Sequence, residues 1–427
     1  MTVLSRSCLD LSRRCGRRFT LARRGSSKIP PADERTVQRV EEKNAEGSTR
    51  REKDENARRG DESGVKVCII GGGVTPLYTA VLLKQYRIIK SIRLVDTRDS
   101  ALEALTDASH LETSPRIDHF RRKDIKQALR EVRASGNTDR TENFLADLSK
   151  KEENKNAQAS IVALMDETDV AAAGSAMARE QFKSTADYVR QMTDRILRFC
   201  PDAVVAVFAR PVTATLAMVS EICRCAGWWN PDRLVGSTAS YGGRIEGTAA
   251  AILNLERASL SVPLAGGADV RTVVPLLSRA VPFNQFTNVR ARVSIVDNQY
   301  DCQAQRKTLL ESLRAGDEGV RTGPLGEGSS LSSGTAAAGL LLNLAAGLSG
   351  HERVVTCAYV RSDVLPVCRF FTSELELGPE GVKRNLGLPK ISAGEVHLIE
   401  QAIPLINEHV DMAVAAVRTE RTRARTR

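Results

Sequence analysis

The sequence predicts an α/β protein, a doubly wound parallel sheet followed by a mixed α+β half. Three observations predict it. A strand, a glycine turn, a helix and a second strand follow one another over Val65 to Asp96; apolar β-favouring runs alternate with helical stretches as far as Val235; and a capped amphipathic helix closes the chain.

Val65 to Ile70 is rich in β-branched residues and stops at Gly71-Gly72-Gly73, as a buried parallel strand does before a tight turn. Thr75 and Pro76 read as N-cap and first helical residue, Leu77 to Ile89 as the helix, and Ile92 to Val95 as a second strand ended by Asp96. In a dinucleotide site, glycines at such a turn let the backbone approach a pyrophosphate, and an acid about 20 residues on takes the ribose hydroxyls. Asp96 lies 25 positions after Gly71, so Gly71, Gly73 and Asp96 are candidate cofactor ligands. Pro76 stands where the third glycine of that pattern belongs, which removes one amide from the cradle and weakens pyrophosphate capture. Taken alone, the three glycines also fit a plain strand-to-helix turn.

Beyond Asp96, Ala101 to Glu112 reads as a helix carrying His110. About 121–157 holds 17 charged residues in 37 and reads as an inserted, exposed arm or disordered loop. Asp169 to Gly174 reads as a weak strand, and Gln181 to Phe199 as a helix with Tyr188, Val189, Met192, Ile196 and Phe199 on one side. Val204 to Phe208 reads as a strand, and Leu216 to Cys225 as a helix. Near the end, Ser392-x-x-Glu395 is a capping box, followed at helical spacing by Ile399, Ile403, Ile406, Val410 and Val414, with Pro404 expected to kink the helix.

The net charge of +10 does not describe a nucleic-acid groove. Residues 1–24 hold seven Arg against one Asp and residues 418–427 five Arg against one Glu, so the ends contribute +6 and +4 and the rest is neutral. Residues 1–24 have the composition of a mitochondrial transit peptide, with an unstructured basic arm as the alternative. Residues 25–64 read as a charged disordered linker and 418–427 as a basic tail. The longest nearly apolar run, Ala336 to Leu348, has 13 residues, short of a membrane span. Nine cysteines include no C-x-x-C pair, and Cys223-x-Cys225 lacks a nearby histidine, so no metal site is expected.

Seven segments, KVCIIGGG, DASHLET, DVAAAG, ARPV, NPDRLVGSTASYGGRIEGT, VPLAGGADVRTVVPLLS and FFTSELELGPEGVKRNLGL, occur in this order. Together they resemble NAD-linked malate dehydrogenase of the mitochondrial type, within the lactate/malate dehydrogenase family. The resemblance covers Val65 to Val417 except the charged insert. It implies a Rossmann-type NAD-binding domain over 65–236, a malate dehydrogenase-like C-terminal domain over 237–417, and a two-fold homodimer or related heteromer in the mitochondrial matrix. The dimer would form through Ala101 to Glu112 and Ser240 to Leu255. The cofactor would be NAD rather than NADP because of Asp96, a preference that Arg98 softens.

The family moves a hydride between nicotinamide and C2 of a hydroxy acid while an imidazole, paired with a carboxylate, carries the hydroxyl proton and arginines clamp the substrate carboxylates. The family's histidine position is Ala268 here, and its carboxylate position is Tyr241. Of its three arginine positions, Met177 stands at the first, Lys183 at the second and Arg244 at the third, with Arg179 available only through a register slip. Its asparagine beside the nicotinamide is Arg210, either a cofactor contact or an ion pair, and the Arg210-Pro211 bond is a candidate cis peptide. Gly326 and Gly328 fit a later family loop or plain turns. Two readings follow. One is a paralogue that has lost malate chemistry and keeps a structural or interaction role with residual NAD binding; the other is a working 2-hydroxy-acid dehydrogenase with another proton donor.

Overall fold

Strand β1 (Val65–Ile70) is buried at every position. Parallel strands flank it on both sides, β2 (Ile89–Asp96) and β4 (Ser160–Leu164). Outside these lie β3 (Ile117–Arg121), β5 (Val204–Val207) and β6 (Leu234–Gly236), giving the order β3-β2-β1-β4-β5-β6, all parallel. This is the doubly wound order that reverses beside β1. The computed structural model describes residues 64–96, 115, 117–133, 160–167, 178–238, 245–247, 249, 260–269, 271–282 and 327–425.

Successive side chains of a strand point to opposite faces, so each central strand feeds two cores. Cys68, Ile70, Val162, Leu164, Val205 and Val207 enter one, under helices α3 (Ala178–Phe199), α4 (Val212–Ala226) and α6 (Ala393–Arg425). Val67, Ile69, Ile161, Ala163, Val204 and Ala206 enter the other, under α1 (Val74–Leu83) and α5 (Glu327–Leu348). By length and composition α5 passes as a membrane span. Its Ala337, Ala338, Leu340, Leu341, Leu344 and Ala345 are nevertheless core residues of this sheet.

The sheet continues past β6 as antiparallel strands. β11 (Val354–Arg361) joins β6 through Tyr359 and Gly236, and β12 (Phe370–Gly378) pairs with β11, β13 (Gly381–Gly387) and β8 (Leu264–Gly266), which pairs with β9 (Val273–Pro275). β7 (Leu260–Ser261) and β10 (Val281–Pro282) form a separate pair.

Several expectations require correction. α1 begins at Val74 with Gly73, not Thr75, as N-cap; Gly73 has φ 90 and ψ −161, a conformation only glycine adopts without strain. α1 stops at Leu83 because turns at Gln85 and Tyr86 reverse the chain into β2. The charged stretch at about 121–157 is not wholly an exposed insert. Arg121 ends β3, and α2 (Ile125–Arg133) buries Ile125, Ala128 and Leu129 against the first core; residues 134–159 lie outside the described residues. β4 (Ser160–Leu164) is a strand not expected from the sequence, and the strand expected at Asp169 to Gly174 lies outside the described residues. The basic tail continues α6 to Arg425, and Pro404 lies inside that helix.

The capping box at the start of α6 is formed. Ser392 N donates to Glu395 Oε2 at 2.8 Å and Glu395 N to Ser392 Oγ at 3.4 Å. Ser278 adds its amide at 2.9 Å and its hydroxyl at 2.5 Å, tying the helix to the turn after β9. Burial alone raises the pKa of Glu395, but these donors outweigh it and hold the carboxyl below its ordinary value. A folded-state pKa below the unfolded one stabilises above the unfolded value and fades as pH falls through the folded value. Glu395→Gln is therefore expected to lower stability by about 1 to 3 kcal/mol at pH 7, with the gap closing below about pH 4. Urea unfolding of both proteins across pH checks this, and a gap independent of pH contradicts it.

Six cysteines are described, none in a disulfide, and Cys68, Cys200, Cys223 and Cys368 are buried. Burial pushes the Cys68 and Cys223 thiols up to about 12 and Cys357 to about 11, so these are poor nucleophiles at neutral pH.

Candidate functional site

Ligands of open α/β sheets bind beyond the carboxyl ends of the strands where the order reverses. Here that place lies between the ends of β1, β2 and β4, and the glycine turn occupies it. Gly71 N donates to Val95 O at 3.1 Å, and Gly72 N to Asp166 O at 2.9 Å. A Cβ on Gly72 would stand 2.1 Å from Glu167 O and 3.2 Å from Asp96 Oδ1, so backbone and acid press on this turn from two sides. Asp96, at the end of β2, is 4% exposed. Pro76 sits in the first turn of α1, where a missing N–H breaks no helical bond but takes one donor from the crevice.

The segment leaving β4 carries two acids, each joined to an arginine from another element. The peptide N–H of Arg210 donates to Asp166 Oδ1 and its Nε to Oδ2, both at 2.8 Å. Arg210 thus forms the ion pair, and the Arg210-Pro211 bond is cis. Glu167 pairs with Arg122, whose guanidinium also lies 5.2 Å from the centre of the Tyr188 ring. Arg195 holds the Arg122 carbonyl at 3.0 Å. Burial, then the charge of Asp166, pushes the Tyr188 phenol far above its ordinary pKa, so it stays neutral.

A second centre surrounds the N-terminus of α4. Ala268 is fully buried, and its amide donates to Thr213 Oγ1 at 3.1 Å. Next to it, the Asp269 carboxylate accepts from Val212 N at 3.0 Å and Thr213 N at 3.2 Å, capping α4 and complementing the positive end of its dipole. His409 of α6 places Nδ1 3.6 Å from Asp269 Oδ2, and that nitrogen is buried without a hydrogen-bond partner among the described residues. Tyr359 Oη is likewise buried and, among the described residues, unpartnered; burial and the charge of Asp269 raise its pKa well above the ordinary value.

Of the expected site residues, the structure brings Gly71, Gly73, Asp96 and Arg210 to the crevice and Ala268 to the α4 end. Lys183 lies on the exposed face of α3, and Arg179 pairs with Glu408 at 3.2 Å. Met177, Tyr241 and Arg244 lie outside the described residues, as do residues 1–63, 101–112 and most of 240–255. Sequence reasoning missed Asp166, Glu167, Arg122, Asp269 and His409. His409 was one polar position in an amphipathic pattern, and only its acid partner 140 residues earlier gives it meaning. Among the described residues no group of three or more His, Cys, Asp or Glu is arranged to hold a metal.

A dinucleotide fits this crevice only in part. Asp96 and the glycine turn are the right groups, but the Gly72 amide is engaged by Asp166 O and the carbonyl of Glu167 closes over it. The centre of the cradle does not fit a pyrophosphate in this arrangement.

No family model matches the chain. It is 31% identical over 224 residues to mitochondrial malate dehydrogenase of Sus scrofa, covering 52% of this chain and 62% of that protein, and 30% identical over 238 residues to that of Caenorhabditis elegans, covering 56% and 65%. The match thus spans just under two thirds of these relatives' length. Among solved structures, malate dehydrogenase from Salinibacter ruber superposes with a TM-score of 0.58 at 16% identity, covering 83% of this chain and 99% of that one. Lactate dehydrogenase of Cryptosporidium parvum, complexed with lactic acid and nicotinamide adenine dinucleotide, gives 0.59 at 13% identity, covering 82% and 98%. At these identities the structural likeness establishes the fold.

Proposed function

We propose that this chain, which is homologous to the mitochondrial malate dehydrogenases and has the malate/lactate dehydrogenase fold, no longer interconverts malate and oxaloacetate. It serves instead as a structural or interaction protein of the mitochondrial matrix, with weakened NAD binding. Ala268 is the observation that carries this reading: a buried methyl stands where the family resemblance puts the proton-carrying imidazole. General acid–base groups contribute roughly 10²- to 10⁴-fold in rate. Two further features support it. Arg210 is engaged by Asp166, and Asp166 and Asp269 add carboxylates to a site that must receive a dicarboxylate. The test is steady-state oxaloacetate reduction with NADH by the purified full chain; turnover on the order of 10 per second overturns the proposal.

His409 beside Asp269 favours the second reading, a working dehydrogenase of malate or another 2-hydroxy acid, because an imidazole next to a carboxylate is the chemistry that Ala268 lacks. In that reading His409→Asn abolishes whatever turnover is found.

A mitochondrial location is supported by the relatives, which are mitochondrial malate dehydrogenases, and by the arginine-rich residues 1–24; the matrix is the compartment we propose. A reporter carrying residues 1–30 is expected to enter mitochondria and lose its leader; cytosolic retention counts against the location. Homodimer or heteromer assembly is part of the same proposal.

A further inference from the structure

We propose that Asp166 and Glu167 form an internal latch that holds the dinucleotide crevice shut by occupying the groups a diphosphate needs. The inference rests on the reading of this crevice as a dinucleotide site, and it goes beyond the loss of malate chemistry. Diphosphate recognition at a strand end uses glycine amides and guanidinium groups. The Gly72 amide donates to the Asp166 carbonyl, Arg210 gives its peptide N–H and Nε to the Asp166 carboxylate, and Arg122 pairs with Glu167. One short segment therefore satisfies three elements at once: the turn after β1, the end of β3 and the start of α4.

The latch is tied down on its far side. Arg122 lies over Tyr188 and shares Gln191, and Arg195 holds its carbonyl, so α3 fixes the guanidinium that holds Glu167. It is also within reach of competition. Both ion pairs are partly exposed, with side chains 18% to 39% accessible, and such pairs are individually weak. A dinucleotide diphosphate brings two negative charges to the same two guanidinium groups and releases the acids. On this view the crevice is a masked site: the arginines that now neutralise the chain's own carboxylates are its phosphate ligands once the segment moves.

The test is titration of the full chain with NADH, followed by nicotinamide fluorescence, and with ADP-ribose, followed by calorimetry. The wild type is compared with Asp166→Asn/Glu167→Gln. The double variant is expected to bind both ligands at least tenfold more tightly, with faster hydrogen exchange at the Gly72 amide. Adding Arg122→Gln and Arg210→Gln to that background is expected to remove the gain. Equal or weaker binding by the folded double variant overturns the latch. If that variant does not fold, Glu167→Gln alone, which leaves the Asp166–Arg210 pair intact, is expected to gain about threefold, and no gain overturns the latch in the same way. These readouts are independent of turnover, so an active wild-type enzyme refutes the proposed loss of malate chemistry without touching the latch.

Discussion

Ala268→His alone leaves oxaloacetate reduction within about tenfold of the background rate, whereas Ala268→His with Tyr241→Asp and Met177→Arg recovers the most. The reason is that the family reaction uses these groups as a unit, and units fail non-additively. An imidazole at position 268 without a dedicated carboxylate is not held in the tautomer that carries a proton to the substrate. Asp269 does not supply that support freely, since both its oxygens already accept backbone amides of α4. Two unit charges about 4 Å apart interact by about 4 kcal/mol at an effective dielectric constant near 20. A substrate carboxylate facing Asp166 or Asp269 without its own arginine therefore meets a barrier to binding as well as to reaction. Rates for the wild type, the single and the triple variant at saturating NADH check this. Full activity from the single variant means that the missing imidazole was the sole defect.

The fold was legible wherever its signals are local. Val65 to Ile70, the glycine turn and Asp96 could be placed because strand, turn and acid follow each other within one unit, and Ser392 with Glu395 because a capping box spans four residues. β4 was missed because Ser160–Leu164 is only five residues long and directly follows a charge-rich window. The same averaging hid α2, whose three buried positions, Ile125, Ala128 and Leu129, sit among lysines and arginines. The site was less legible because its partnerships are distant. Asp166 meets Arg210 across 44 residues, Glu167 meets Arg122 across 45, and Asp269 meets His409 across 140. No local period marks such pairs; only the sheet order, which sets β4 beside β5 and brings the carboxyl ends of β3, β4 and β5 to one edge of the parallel sheet, brings the first two together.

Asp269→Ala is expected to destabilise the protein by about 2 to 4 kcal/mol, and Asp269→Asn by clearly less. The alanine variant leaves the amides of Val212 and Thr213 without their acceptor at a partly buried helix end whose N-cap residue, Pro211, supplies no side-chain bond, and an unsatisfied group there costs about 1 to 3 kcal/mol. It also removes the charge facing His409. Asparagine keeps one carbonyl oxygen for the helix but no charge for the helix dipole or to face His409, so it separates the cap from the charge. Urea midpoints of the two variants at pH 7 read that difference directly. If alanine unfolds at the wild-type midpoint, Asp269 is not holding α4, and its place beside Ala268 and His409 has to be explained by chemistry instead. If both variants lose the same large amount, the charge and not the cap carries the stability, which makes the His409 pair the structural element.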